Sequence, residues 1–166
     1  SGNGTLLPLT ADPYARRAQL RPETASIVAA LPDPPPLPRQ RERANRRESA
    51  ISVYEVHAPS WRRGVAGDFP SWDELAAQLP ASAADLGCTH VQLMPISEHP
   101  FDGSWGYQTL GMYAPSARFG PPEGFARFVK ACHDAGLGLL LDWPVGQPAP
   151  RRAAFLASEA RPPQSL

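Results

Sequence analysis

The sequence lacks an excess of charge of either sign, because 16 basic side chains balance 16 acidic ones. A protein without net charge does not draw nucleic acid or an anionic membrane surface towards it over long distances. The chain also lacks an apolar run near the roughly 20 residues of a transmembrane helix. Its N-terminus lacks the basic and then apolar segments of a signal peptide. We therefore expect no nucleic-acid partner, no membrane partner and a cytoplasmic location.

Cysteine is scarce as well, since Cys88 and Cys132 are the only two in 166 residues. They can form one disulfide, although two isolated cysteines are more typical of reduced and buried thiols. The spacing of these cysteines relative to the four histidines matches no zinc site. The sequence therefore predicts neither a disulfide framework nor a metal centre.

Proline, by contrast, is abundant, with 21 residues, where an average usage of about 5% predicts roughly 8. Residues 32–38, PDPPPLP, cannot form a helix and predict an extended spacer. The arginine-rich residues 39–49 indicate a solvated linker rather than a nucleic-acid patch, because no aromatic ring is interleaved. A second interpretation of residues 32–38 is a ligand for an aromatic-lined groove. The pattern after residue 51 argues against that as the main role.

Three short segments have the pattern of strands. Residues 51–57, ISVYEVH, alternate apolar and polar side chains, and residues 90–95 (HVQLMP) and 138–143 (GLLLDW) are mostly apolar. The last segment has the near-continuous apolar character of a parallel strand that is covered on both faces. A helical pattern lies between successive strands. The resulting order, βαβαβ, implies parallel strands with right-handed crossovers.

Two helices are predicted between these strands. Ser71 and Glu74 form a capping box at the start of the first helix, and Gly87 provides its C-terminal stop. Pro80 lies inside this helix and is expected to kink it or to split it in two. The second helix begins at the Pro121–Pro122 pair and is expected to end at Gly136. Its apolar stripe consists of Phe125, Phe128, Val129 and Cys132.

The loop of residues 99–115, HPFDGSWGYQTLGMYAP, concentrates aromatic rings and glycines in a segment that is too broken for a helix and too irregular for a strand. It leaves the carboxyl end of the second predicted strand, and Asp142 lies at the carboxyl end of the third. Ligands of α/β proteins bind at these strand ends. Aromatic rings stack on the apolar faces of sugars, and carboxylates accept hydroxyl hydrogens. The pattern favours a sugar site, and the alternative is that the rings only pin the loop.

Residues 54–63, YEVHAPSWRR, and residues 90–143 closely resemble the glycogen (1,4-α-glucan) branching enzymes of the α-amylase superfamily, and the run HPFDGSWGYQ is specific for them. The resemblance implies an α/β fold, an incomplete (β/α)8 TIM barrel that contains the first three βα units. It divides the chain into the end of an N-terminal β-sandwich module (1–31), a Pro/Arg-rich linker (32–50), the partial catalytic barrel (51–143) and a tail without family pattern (144–166). We expect the tail to be disordered or to form at most one helical turn.

The same resemblance assigns substrate-binding roles to the loop and to the end of the third strand. It implies that Tyr107 stacks against the glucose that precedes the scissile bond. It also implies that Asp142 binds or positions this sugar. Asp102, Trp105 and Gln108 are implied more weakly, as residues that line subsites or support the loop.

The resemblance further implies a reaction in which an α-1,4 linkage is cleaved with retention and the released chain is transferred to a 6-hydroxyl. Retention requires two carboxyl groups about 5–5.5 Å apart. The family supplies them after its fourth and fifth strands, and it supplies a substrate-contacting histidine where Gln147 stands here. We therefore expect a truncated chain without catalytic residues, which binds glucan poorly and does not branch it. The loss of family pattern at Pro144 suggests a frameshift.

The implied partners are α-glucans, such as glycogen and amylose-like chains. The sequence leaves open whether a complementary polypeptide also pairs with the chain and completes the barrel. No cofactor is implied, because the reaction needs none. An alternative function is a non-catalytic glucan-binding or regulatory fragment, which the retained Tyr107 and Asp142 would support.

Overall fold

The structure is a computed structural model that describes residues 11–38, 46–65 and 67–144. Within these ranges the chain alternates strands and helices from residue 53 onwards. The elements are β1 (Val53–Val56), α1 (Ala58–Trp61), α2 (Trp72–Asp85), β2 (His90–Leu93), β3 (Ser97–Glu98), β4 (Gly111–Pro115), α3 (Pro122–Asp134) and β5 (Gly138–Leu141), with 3-10 turns at Asp102–Ser104 and Ala117–Phe119. The predictions for residues 39–45 and for the tail beyond Pro144, including Gln147, lie outside the described residues.

The main sheet has the order β1-β2-β5, and both pairs of neighbours are parallel. The predicted βαβαβ order is therefore confirmed, with strands shorter at their ends than the sequence pattern indicates. The second sheet is an antiparallel ribbon of β3 and β4. The expectation that residues 99–115 contain no strand is wrong, because Gly111–Pro115 pairs with Ser97–Glu98.

The capping box predicted for α2 is present. Ser71 Oγ accepts a hydrogen bond from the Glu74 backbone N–H at 3.2 Å, and the Glu74 carboxylate accepts one from the Ser71 N–H at 2.6 Å. Pro80 does not split the helix, which runs without interruption from Trp72 to Asp85. Proline removes one backbone donor, but the buried Leu79 beside it keeps this stretch packed against the core.

The core lies between the main sheet and the two long helices. Trp72 of α2 is its centre, with ring centroids 4.8 Å from Phe119 and 5.8 Å from Phe128 of α3. Val91 and Leu93 of β2 face the same core and are completely buried. Burial of these large apolar side chains is the main driving force for this α/β packing.

The other face of the sheet is more open. The register aligns Glu55 of β1, Gln92 of β2 and Leu140 of β5 on this face. Leu140 is 40% exposed on this face. The expectation that this strand is covered on both faces is therefore wrong for the described residues, because Leu140 is exposed on the face opposite the core.

The N-terminal segment, residues 11–38, packs against β4. Ala18 and Ser26 form an isolated antiparallel bridge, and residues 27–38 have no regular secondary structure. Tyr14 stacks on Tyr113 of β4 with ring centroids 6.1 Å apart. No helix within the described ranges has both the length and the apolar character needed to cross a membrane.

Candidate functional site

The candidate site lies at the carboxyl ends of the three parallel strands. His57 follows β1, Met94 follows β2 and Asp142 follows β5. The sheet hydrogen bonding extends to this edge, because the Met94 N–H donates to the Val56 carbonyl and the Asp142 N–H donates to the Leu93 carbonyl, both at 2.9 Å. The rigid sheet thus fixes the backbone on which the side chains of this edge are mounted.

Tyr107 and Asp142 meet at this edge. The Tyr107 hydroxyl donates a hydrogen bond to Asp142 Oδ2 at 2.6 Å, across 35 positions of sequence. This bond raises the pKa of Tyr107 to about 12, and burial and the nearby charges of Asp142 and Glu55 add to the shift. The phenol is therefore neutral and donates its proton to the carboxylate at all ordinary pH values. We call His57, Trp105, Tyr107 and Asp142 together the rim.

Trp105 reaches the same edge by stacking on His57. The two ring centroids are 4.9 Å apart and the planes differ by 28°. The backbone of Trp105 is left-handed, with φ of 54°, a conformation that disfavours residues with a Cβ. The next residue, Gly106, has φ of 87°, and a Cβ there would collide with the Pro95 carbonyl. The loop therefore turns sharply against the end of β2, which delivers Trp105 and Tyr107 to the rim.

Asp102 supports the loop. Arg118 Nε donates to Asp102 Oδ1 at 2.8 Å, and Arg21 of the N-terminal segment donates to Asp102 Oδ2. Both carboxylate oxygens therefore have a guanidinium partner. Of the two roles that the sequence left open for Asp102, this geometry favours support of the loop.

Arg118 is the residue that sequence reasoning missed. Its side chain is 1% exposed, and its Nη1 donates to Glu98 Oε1 at 2.7 Å and to Ser116 Oγ at 3.1 Å. Glu98 also accepts a 2.6 Å bond from the Ala117 N–H. An arginine is rarely buried unless it is paired, so the sequence alone gives no reason to expect Arg118 in the interior. Its carboxylate partner Glu98 lies on β3, and the pairing of β3 with β4 has to be known before this contact can be recognised. We call Glu98, Asp102 and Arg118 the base of the loop.

His99 lies beside the base and not at the rim. It is buried, and its Nδ1–H donates to the Ser97 carbonyl at 2.9 Å. Burial, together with the positive charge of Arg118, lowers the pKa of His99 to about 4. The imidazole is therefore neutral at neutral pH and packs as part of the loop's foundation.

The remaining aromatic residues fix the far end of the loop. Trp143 Nε1 donates to the Met112 carbonyl at 3.0 Å, and its ring centroid lies 5.7 Å from that of Tyr113. These two rings fit the alternative that aromatic residues pin the loop. Gln108 is half-buried and takes no part in the bond between Tyr107 and Asp142.

A groove of about 450 Å³ opens beside Asp142. It is lined mainly by apolar side chains, among them Met112, Tyr113, Phe125, Leu141 and Trp143. The rim thus combines the exposed ring of Trp105, the half-buried ring of Tyr107 and a carboxylate beside a concave surface, the features that a polyhydroxylated ligand with apolar faces requires.

No metal centre is found among the described residues, in which no group of three or more His, Cys, Asp or Glu side chains is placed to bind an ion. Cys88 and Cys132 are free thiols. Burial raises the pKa of Cys132 to about 12, so that thiol is an inert part of the core.

Comparison with known proteins gives a consistent result. No protein-family model matches the chain. A "1,4-alpha-glucan branching enzyme GlgB 1" from Rhizobium etli is 57% identical over 146 residues, which are 85% of this chain and 20% of the relative. A "1,4-alpha-glucan branching enzyme GlgB" from Nitrobacter hamburgensis is 56% identical over 147 residues, 87% of this chain and 20% of the relative. The chain belongs to the 1,4-α-glucan branching enzyme family.

The chain spans about one fifth of the length of these curated relatives. Among solved structures, a Salmonella typhimurium protein described as an alpha amylase matches 86% of this chain and 23% of its own, with a TM-score of 0.68 and 28% identity. The mixed α/β fold with a parallel sheet is therefore of the α-amylase type, as the branching-enzyme resemblance implied.

Proposed function

We propose that residues 51–143 are the first three βα units of a branching-enzyme (β/α)8 barrel and that their rim binds an α-1,4-glucan. Residues 1–31 would then be the end of a preceding β-sandwich module, residues 32–50 the linker, and residues 144–166 a tail outside the family pattern. The parallel order of β1, β2 and β5 supports the barrel, and the open face that carries Glu55, Gln92 and Leu140 corresponds to its interior.

The observation that carries the glucan proposal is the 2.6 Å bond between Tyr107 and Asp142. It holds the ring of Tyr107 at the rim in one orientation, and it leaves Asp142 Oδ1 available to accept a hydroxyl hydrogen. A ring beside a carboxylate recognises the two faces of a glucose unit, because the C–H face stacks on the ring and the hydroxyl edge donates to the acid. Trp105, exposed at 55%, supplies a second ring.

Binding by this chain does not provide the complete reaction. Retaining transfer needs a carboxylate nucleophile and a carboxylic acid about 5–5.5 Å apart. In the family these follow the fourth and fifth strands, whereas Asp142 follows the third parallel strand of the described part and is engaged by Tyr107. We propose that the 166-residue chain binds glucan weakly without branching it, and that a polypeptide carrying the later strands would be needed for activity.

Affinity electrophoresis tests the binding. Glycogen in the gel is expected to retard the 166-residue chain, and Tyr107→Ala and Asp142→Ala are expected to abolish that retardation. Glu123→Gln, which alters an exposed carboxylate on α3, is the matched control and is expected to migrate like the unaltered chain. Migration of the unaltered chain that does not depend on glycogen would contradict the proposal.

A branching assay separates the two functions that the sequence left open. The iodine absorbance of amylose is expected to remain constant in the presence of the purified chain. Retardation by glycogen without a change in iodine absorbance supports a glucan-binding chain. A shift of the iodine spectrum would show that the chain is catalytically active and that the proposed inactivity is wrong.

A further inference from the structure

His57 is the rim residue to which the proposed function gives no task, and its place near a predicted strand end fits either the lining of a sugar site or polar packing. It lies at the carboxyl end of β1, half-buried beneath the ring of Trp105. Its Nδ1 lies 2.7 Å from Ser60 Oγ. Its Nε2 is covered and has no hydrogen-bond partner in the described part of the chain. A covered ring nitrogen without a partner is unfavourable, and such groups in native structures call for an explanation.

The hydrogen bonds of His57 indicate which kind of partner its Nε2 needs. Ser60 Oγ donates to the His57 carbonyl at 3.5 Å, so the Nδ1–H is assigned as the donor to Ser60 Oγ. Burial lowers the pKa of His57, which favours the neutral ring. A neutral imidazole with its proton on Nδ1 has a bare lone pair on Nε2. That atom accepts a hydrogen bond and therefore suits a hydroxyl group.

Trp105 stacks on the imidazole that carries this nitrogen, and we infer that its indole is the cover over Nε2. It is held to His57 by one ring stack, it is 55% exposed, and its backbone has the unfavourable φ of 54°. Rotation of the indole about its own side-chain bonds would uncover the imidazole, and it would free the indole face that stacks on His57 for a ligand. The same movement therefore creates an acceptor and a stacking surface for one ligand.

We propose that His57 is a sugar-binding residue of the rim, whose Nε2 accepts a hydrogen bond from a glucose hydroxyl when Trp105 moves from the imidazole onto the sugar ring. This inference rests on the proposed function, because the ligand is the same α-1,4-glucan. It adds the end of β1 to the binding surface, opposite Asp142 at the end of β5. The central strand β2 then lies between the two sugar-binding groups.

Two substitutions distinguish the role of the Nε2 atom from that of the rest of the imidazole ring. His57→Asn places a polar group near the position of Nδ1 and lacks anything at Nε2, whereas His57→Gln places a polar group near the position of Nε2. Ser60→Ala is the control for the bond at Nδ1. Binding of maltoheptaose to the 166-residue chain is measured by titration of tryptophan fluorescence, and thermal unfolding verifies that each variant is folded.

The expected result is a loss of about tenfold in affinity for maltoheptaose in His57→Asn, with His57→Gln and Ser60→Ala within about threefold of the unaltered chain. Equal affinity of His57→Asn and the unaltered chain would overturn the inference. Equal losses in the Asn and Gln variants would also overturn it, since they would assign His57 a packing role only. If the unaltered chain itself does not bind maltoheptaose or glycogen, the proposed function fails and this inference fails with it.

The covering of His57 by Trp105 has a separate readout that needs no glucan. Diethyl pyrocarbonate modifies neutral imidazole nitrogens, and mass spectrometry locates the modification. His57 is expected to react slowly in the unaltered chain and at least fivefold faster in Trp105→Ala, whereas Phe101→Ala, which removes another exposed ring of the same loop, leaves the rate unchanged. An equal rate of His57 modification in the unaltered chain and in Trp105→Ala would show that Trp105 is not the cover.

Discussion

The base and the rim of the loop between β3 and β4 are held in opposite ways. The base consists of charged groups, and its Arg118 and Glu98 side chains are 1% and 5% exposed. At the rim, within the part of the chain that the structure describes, Trp105 is held by one ring stack and Tyr107 by one side-chain hydrogen bond. A binding loop needs an anchored backbone so that its side chains keep a defined position, and it needs exposed side chains that a ligand can reach. This loop separates the two requirements by about three residues of chain.

The largest expected effect is at the base. Arg118→Met leaves Glu98 buried without its cation, and removal of one partner from a buried ion pair costs roughly 3–5 kcal/mol. We expect the free energy of unfolding in urea to fall by about that amount. Arg127→Met is the control, because it breaks an ion pair with Asp73 in which both side chains are more than half exposed, and such pairs contribute at most about 1 kcal/mol. Equal losses in the two variants would show that the base is not a buried anchor.

The second-largest effect is expected at acid pH, where the free energy of unfolding should fall because the surroundings of the base are destabilised. The pKa of His99 is about 4 in the folded chain, against 6.5 for the ordinary group, so the unfolded chain binds the proton more strongly. The stability contributed by neutral His99 is therefore complete above pH 6.5 and is lost as the pH falls towards 4. Between pH 6.5 and 5 we expect a loss of about 1–2 kcal/mol in urea unfolding. His99→Gln should show less of this loss, and an identical pH dependence in both chains would contradict the assignment.

A smaller effect is expected at the rim. Tyr107→Phe keeps the ring but removes the bond to Asp142, and one hydrogen bond contributes on the order of 1 kcal/mol. We expect little change in urea unfolding but a several-fold weaker affinity for maltoheptaose, because neither the ring nor Asp142 is then held in place. Tyr54→Phe is the control, since it removes a hydroxyl that accepts from Trp61 at 3.2 Å away from the rim.

The same bond predicts an alkaline titration. The pKa of Tyr107 is about 12 in the folded chain and 10 for the ordinary phenol. Its contribution to stability is complete below pH 10 and is lost as the pH rises towards 12. Absorbance at 295 nm should therefore show one of the four tyrosines ionising late, and Tyr107→Phe should remove that late step. A titration in which all phenols ionise together would contradict the 2.6 Å bond.

The sequence could predict the rim better than the base. Alternation, the Ser71–Glu74 box and the proline pair before α3 determine the parallel framework, and the rule that ligands meet carboxyl strand ends then brings Tyr107 and Asp142 to one edge. These are local patterns and one general rule of topology. They suffice because the strands that carry the site are adjacent in the sheet.

The base could not be predicted because it depends on pairing that leaves little local pattern. β3 has two residues, and β4 begins at a glycine, so neither has enough alternation to be recognised. Burial of Arg118 requires carboxylates that lie 20 and 16 positions earlier in the chain. The helix that contains Pro80 was predicted, but of the two expected effects the split does not occur, since tertiary packing outweighed the local preference of proline.

The smallest expected effect concerns the N-terminal segment, which contacts the base only at its outer side. Arg21 and Asp102 are 38% and 43% exposed in their ion pair, so water screens it and Arg21→Gln should cost less than about 1 kcal/mol. Arg118 still holds Asp102 in this variant, and affinity for maltoheptaose should change by less than about twofold. If Arg21→Gln weakened binding as strongly as Tyr107→Phe, the base would extend into residues 11–38. The preceding segment would then position the rim, and the contrast between a buried anchor and an exposed binding edge would have to include a third, partly exposed support.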